Sequence, residues 1–336
     1  MTPAPTLARA TRRAMLACAL GGLLPRAARA QPGGAAIRFG ILPIGGTKDS
    51  SDVWGPMLAE LSRAVGRPIA KMSVTSYDTM EQAIARDEVD MAFLPGRMAL
   101  DAVIVHGMRV VAQVVRHDGL PGYRATLLAR RDGPVRDLAA VLAEPGRWRL
   151  ARGEKRSLSG FIVPKLELFL PRGIDIETAF QGDIVGTHQR TALAVANNEA
   201  DLATNNTADF ERFAVQFPDE AARLRELWQS ELVPHGVIVV RGSYDAGLRR
   251  AIEEFLLRYG RGPGRQAERQ RVVLKALHDF AGFLPADNRS LAATAELTRK
   301  LDLDSARSAE WISEAARQAR LRRIEAEYAE RMRVLK

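Results

Sequence analysis

A chain of 336 residues with 49 Lys and Arg against 40 Asp and Glu carries a formal charge of +9, and 46% of it is hydrophobic. That is enough material for two compact α/β lobes, while the basic excess lacks the clustered face with aromatic platforms that nucleic acid requires, so no nucleic-acid partner is expected. The one cysteine, Cys18, lies in the first 30 residues, which leaves the rest without a disulfide, a thiolate metal site or a cysteine nucleophile.

The chain opens on Arg9, Arg12 and Arg13, runs through apolar Met15 to Leu24 and reaches Ala28-Arg29-Ala30 before Gln31. This is the layout of an export signal cleaved after Ala30; a permanent membrane helix needs about 20 apolar residues. Cleavage removes five arginines and no acid, which lowers the net charge from +9 to +4. Thr11-Arg12-Arg13-Ala14-Met15-Leu16 also has the order of a twin-arginine signal, so either export route delivers the mature chain to the periplasm.

From Ile37 short apolar runs alternate with amphipathic stretches. The pattern predicts strands at 37–42, 69–74, 89–94, 109–115 and 123–129, with helices at about 53–65 and 77–86. After the turn-rich Arg131-Asp132-Gly133-Pro134 a second unit follows, with helices near 135–143, 159–170 and 187–197 and strands at 148–151 and 201–204. The run at 236–240 reads as a strand returning to the first unit. Such alternation predicts largely parallel sheets flanked by helices. The expected organisation is an export signal at 1–30, a discontinuous first lobe at 31–128 plus 238–307, a second lobe at 129–237, and a C-terminal amphipathic helix at 308–336. Two crossings between lobes suit hinge closure, with a ligand in the crevice at the strand carboxyl ends. The last helix carries Leu321, Ile324, Tyr328 and Met332 at helical spacing, either a stripe packed on its own lobe or a homodimer contact.

The stretch Arg156-Ser157-Leu158-Ser159-Gly160-Phe161-Ile162-Val163-Pro164 stands before a predicted helix. Hydroxyls, free backbone N–H groups and the positive end of a helix dipole suit a tetrahedral oxyanion, although a serine there is also an ordinary helix cap. With its neighbours the stretch resembles the phosphonate-binding proteins of ABC importers, in which a Ser-Thr-Ser-Gly-Phe/Tyr-x-x-Pro motif cradles the phosphonate head. The resemblance continues through Pro121-Gly122-Tyr123, Thr187-His188, the run from Ala192 to Thr207, Leu227-Trp228-Gln229-Ser230 and Val237-Ile238-Val239-Val240. It implies a two-lobed periplasmic binding protein of type II-like architecture, an ABC permease as membrane partner, a small anionic ligand of the phosphonate, phosphite or phosphate class, and no cofactor or metal. Carried over by position, the family's ligand contacts fall on Tyr77, Tyr123, Ser157, Leu158, Ser159 and His188.

The departures narrow the ligand. Leu158 stands where the family has a threonine, and Ala208 and Gly236 stand where members that take 2-aminoethylphosphonate have carboxylates. A buried ammonium without a counter-charge costs several kcal/mol (~3–5), so a ligand without an amino group is expected unless Asp209 or Glu231 compensates. Leu94-Pro95-Gly96-Arg97-Met98 replaces a polar loop, which makes Arg97 either a new anion contact or an exposed helix start. Asn205 and Thr207 are further candidates, as ligand contacts or as turn and cap. Lys155 and Arg156 either steer an anion inward or lie solvated. Two other functions share these residues: a receptor feeding a membrane sensor kinase, and an enzyme built on Ser157, Ser159 and His188. The chain lacks a phosphate-binding Gly-x-x-x-x-Gly-Lys-Ser/Thr loop.

Overall fold

The computed structural model describes residues 34–42, 47–120, 122–277 and 279–336. The expected export signal, with its arginine pair and cleavage site, lies outside them, as does Pro121. The first half of the chain forms β1 (Ile37–Ile41), α1 (Thr47–Val65), β2 (Ile69–Ser73), α2 (Tyr77–Ala85), β3 (Met91–Leu94), α3 (Gly96–Ile104), β4 (Arg109–Arg116), β5 (Gly122–Arg130), α4 (Leu138–Ala143) and β6 (Arg149–Arg152). There follow β7 (Gly182–Val185), α5 (His188–Ala196), β8 (Leu202–Asn206), α6 (Thr207–Gln216), α7 (Pro218–Ala222), β9 (Leu224–Pro234) and β10 (Val237–Val240). The chain ends with α8 (Ala246–Arg258), α9 (Arg265–Ala276), β11 (Phe280–Leu284), α10 (Ala292–Ser308) and α11 (Glu314–Val334). Among the described residues no helix is long and apolar enough to cross a membrane.

Two sheets organise these elements, in the strand orders β11-β4-β10-β3-β1-β2 and β7-β6-β8-β5-β9. Both faces of each are covered. Ile238 and Val240 of β10 enter one core layer of the first sheet, and Val237 and Val239 the other, as the two-residue strand period requires. In the second sheet Ala125, Leu127 and Ala129 face one layer and Leu128 the other. The α/β architecture matches expectation, but the sheets are mixed. β1 is parallel to β2 and β3, and β6 to β7 and β8, whereas β10, β11 and β5 pair antiparallel with their neighbours.

One boundary shifts. β5, placed by the sequence in the first lobe, pairs with β8 and β9 in the second sheet, because pairing, which periodicity does not report, decides sheet membership. The chain therefore crosses between β4 and β5, and back between β9 and β10. A third link is packing: α10 sends Ala295 into the first-lobe core and Leu297 and Leu301 against the second, and Asp304 lies 3.8 Å from Lys165. The apolar stripe of the last helix is used inside the chain. Ile324 is buried with Leu303 and Ala306 of α10, Leu321 packs on that cluster, and Tyr328 and Met332 pack on the first-lobe core.

Candidate ligand-binding site

The segment expected as a helix at 159–170 is instead wound in π-type turns over 158–162 and 164–169. Pro164 has no N–H to give the Gly160 carbonyl, as a regular helix would require. That carbonyl accepts from Gly153 N–H (3.0 Å) and from the Thr204 hydroxyl (2.7 Å). The end of β6 and this turn touch through glycines: a methyl on Gly153 or Gly160 would lie 2.7 Å from the other's Cα. The contact holds Ser157 and Ser159 at the mouth of the turn. Ser157 Oγ accepts from Gly160 N–H (3.0 Å), so it caps the turn and keeps its own proton to donate.

Ser159 is the hub. Its Oγ lies 3.0 Å from His188 Nε2 and accepts from Asn206 Nδ2 at 3.1 Å. Each partner opens or caps an element. Thr187 caps α5 by accepting from Arg190 N–H, which makes His188 its first residue. Asn206 caps α6 by accepting from Asp209 N–H (2.8 Å), and its Nδ2 also donates to Asp209 Oδ2 (2.8 Å). Ser76 and Thr79 form a reciprocal cap that sets Tyr77 at the start of α2. Burial pushes the His188 pKa down while the Asp209 charge opposes it, so the ring is poised to respond to an arriving anion. Burial also pushes the Tyr77 and Tyr123 hydroxyls up, with Asp209 adding to both; both stay protonated donors.

These groups line a cavity of about 120 Å³ with walls from both sheets. Of the sequence-derived candidates, Tyr77, Tyr123, Ser157, Leu158, Ser159 and His188 all line it. The three further candidates do not. Arg97 pairs with Asp101 one turn along α3 (3.0 Å), because a side chain at a helix start reaches its own i+4 acid first. Asn205 lies behind the wall and donates to the His188 carbonyl (2.8 Å). Thr207 Oγ1 accepts from Arg124 N–H (3.2 Å); the cap is Asn206. Arg156 reaches across to Asp78 (2.7 Å) and Glu81 on α2, and Lys155 pairs with Glu177.

Sequence reasoning missed Asn206, although it sits between two named candidates, and placed no role on Arg116, His235, Glu154, Phe93 or Phe280, which also line the cavity. Nothing in the spacing marks these; strand pairing brings them together. Burial raises the Glu154 pKa, with Asp78 adding to it. Gly236 has no room for a side chain, since a Cβ there would lie 2.6 Å from Phe93 Cε2 and 2.9 Å from the Leu94 carbonyl oxygen. Glu231 is not among the lining residues, whereas Asp209 is. His117, Glu211 and Asp279 bring ligand atoms within 4.8 Å of one another, but the Arg116 guanidinium lies 2.9 and 3.6 Å from the two carboxylates and supplies their positive partner.

Residues 39–291 match the family model described as ABC transporter, phosphonate, periplasmic substrate-binding protein. The chain belongs to this family. It is 27% identical over 292 residues to the phosphonates-binding periplasmic protein of Escherichia coli strain K12, covering 87% of this chain and 84% of that one. It is 24% identical over 243 residues to a phosphate-import protein of Mycolicibacterium smegmatis, covering 67% and 72%. Among solved structures, the binding-protein component of an ABC phosphonate transporter from Pseudomonas aeruginosa superposes with a TM-score of 0.80 at 26% identity, covering 89% and 97%. Family membership accounts for the two-sheet architecture.

Proposed function

We propose that this family member binds a phosphonate, or a closely related phosphorus oxyanion without an amino group, in the cavity between its lobes, and hands it to an ABC permease in the membrane. The observation that carries the reading is the Ser159 hub, where two serines, a histidine and an asparagine meet at the mouth of one turn, in a cavity that Tyr77 and Tyr123 also line. Hydrogen bonds to a charged oxygen are roughly twice as strong as neutral ones, so a cradle of hydroxyl and amide donors suits an oxyanion. An oxyanion at this place raises the His188 pKa, as Asp209 already does, and draws a proton onto the ring. The lobes close about the two crossings, and Arg156 holds α2 when they are shut. The missing carboxylate at Ala208 and the filled space at Gly236 support a ligand without an ammonium end.

The hub also argues against hydrolysis. Ser159 Oγ and Asp209 Oδ2 both face His188 Nε2, at 3.0 and 3.9 Å, whereas a nucleophile–base–acid relay places nucleophile and acid on opposite ring nitrogens. Cleavage of the export signal after Ala30, by either route, delivers this receptor to the periplasm. The test is a thermal-shift and calorimetric series on the mature chain with methylphosphonate, phosphite, phosphate, sulfate and acetate. Stabilisation by a phosphorus oxyanion, growing with its concentration, and none by sulfate or acetate is expected. No response to any phosphorus oxyanion would end the proposal.

A further inference from the structure

The cavity has a second end. Arg116, the last residue of β4, and His235, next to the start of β10, stand at the two crossings between the lobes, and both line the cavity. Their surroundings are apolar: Phe93, Val114 and Phe280 share that wall, with the Phe93 and Phe280 rings 5.4 Å apart. Tyr123 lines the cavity together with Ser159, and its ring lies 5.7 Å from the His235 ring.

This end carries unspent hydrogen-bonding capacity. The Arg116 side chain is 4% exposed and His235 6%. Arg116 Nε and His235 Nε2 are buried with no hydrogen-bond partner among the described residues. Native interiors leave few polar groups in that state, and each such group asks for a partner. The carboxylates near Arg116 engage its Nη2 alone, Glu211 at 2.9 Å and Asp279 at 3.6 Å. Where an ammonium-binding site would need acids, the chain has Ala208 and a Gly236 with no space for a side chain.

We infer that Arg116 and His235 form a second subsite that takes a carboxylate, so that the preferred ligand is a short phosphonate with a carboxylate at its other end, the phosphonate on the Ser159 hub and the methylenes against Phe93 and Phe280. The inference rests on the function proposed above and adds the ligand class. A guanidinium offers donors in a planar fork that matches a carboxylate, and the buried His235 ring becomes a further donor at Nε2 once an anion beside it draws a proton onto the ring. The same two residues sit at the crossings, so a ligand reaching them ties both connecting strands to the hub and favours the closed form.

Titration calorimetry on the mature chain with phosphonoacetate, 3-phosphonopropionate, propylphosphonate and 2-aminoethylphosphonate tests this. One of the two carboxylated ligands should bind at least about tenfold tighter than propylphosphonate, the worth of one hydrogen bond to a charged group, and 2-aminoethylphosphonate should bind more weakly than both. Arg116→Met should reduce the carboxylate-to-alkyl affinity ratio to about one. Glu211→Gln, which removes the interlobe partner and leaves the guanidinium, should preserve the ratio. Propylphosphonate binding as tightly as the carboxylated ligands, or Glu211→Gln abolishing the ratio as fully as Arg116→Met, would overturn the subsite while leaving the phosphonate receptor intact. Failure of all four ligands to bind would instead overturn the function on which it rests.

Discussion

The two ends of the cavity are built in opposite ways. At the Ser159 end the donors are set by caps: Ser157 closes a turn, Thr187 opens α5 and Asn206 opens α6, and each reaches the cavity from a bond the backbone needs in any case. At the Arg116 end the lining comes from strands and the crossings beside them, with the buried nitrogens Arg116 Nε and His235 Nε2 left without a partner among the described residues. The capped end is ordered by local sequence before a ligand arrives, and so is suited to the part of the ligand shared across the family. The crossing end depends on which strands meet, and residues there can change without unmaking a helix start. In the function proposed above, this difference would separate recognition of the head from selection among tails.

Four experiments break or sharpen that contrast. The largest effect concerns acid. Burial, followed by the Arg116 charge, pushes the His235 pKa down from 6.5 to about 4, against the opposing pull of Asp118 and the Leu120 carbonyl. Below pH 6.5 the unfolded chain takes up a proton that the folded chain refuses. Stability is therefore complete above that pH and lost toward pH 4, by about 3 kcal/mol at most. Between pH 6.5 and pH 4 the wild type should lose up to that amount more stability in denaturant melts than His235→Asn; parallel curves would assign the acid sensitivity to carboxylates elsewhere.

Next, Ser159→Ala removes the hub oxygen and should weaken methylphosphonate binding by about 2 kcal/mol, some thirtyfold. If affinity holds and only the ligand-free melting temperature falls, the hub is packing and the contrast fails. Gly236→Ala places a methyl against Phe93 and should destabilise the fold by about 1–2 kcal/mol, read as a lower urea midpoint; an unchanged midpoint would mean that the wall can yield to a side chain. The smallest effect belongs to Arg156→Met. Its pairs with Asp78 and Glu81 are partly exposed and are worth under about 1 kcal/mol, so ligand release should quicken a few-fold at low salt and converge with the wild type at high salt. A salt-independent change would point to Arg156 as a ligand contact.

How much of this was legible in the sequence follows the same division. Ser157, Ser159 and His188 stand at element starts, where local chemistry shows itself, and the family resemblance carried Tyr77 and Tyr123. Asn206 was within view, but choosing it over Thr207 as the cap required knowing that Thr207 serves Arg124 instead. Arg116 and His235 carry no local signal. One ends an ordinary strand, the other follows a proline, and they meet because β10 lies between β3 and β4. The π-type turns were hidden for a related reason, since the Gly160 carbonyl is claimed by Gly153 and by Thr204, 44 residues further along. Periodicity located the strands but not their sheets, which is why β5 moved to the second lobe.

Leu158, the residue that costs the site a hydroxyl, gives something else in return. A Cβ on Gly96 would lie 2.7 Å from Leu158 Cδ1 and equally close to the Thr294 hydroxyl, so the leucine tip is seated on bare backbone at the start of α3, on the opposite lobe. It is a point of direct contact between the lobes, and a side chain at position 96 would have to push the leucine and Thr294 aside. The spacing of the two lobes at this point thus depends on a glycine that does not line the cavity, against a leucine that does.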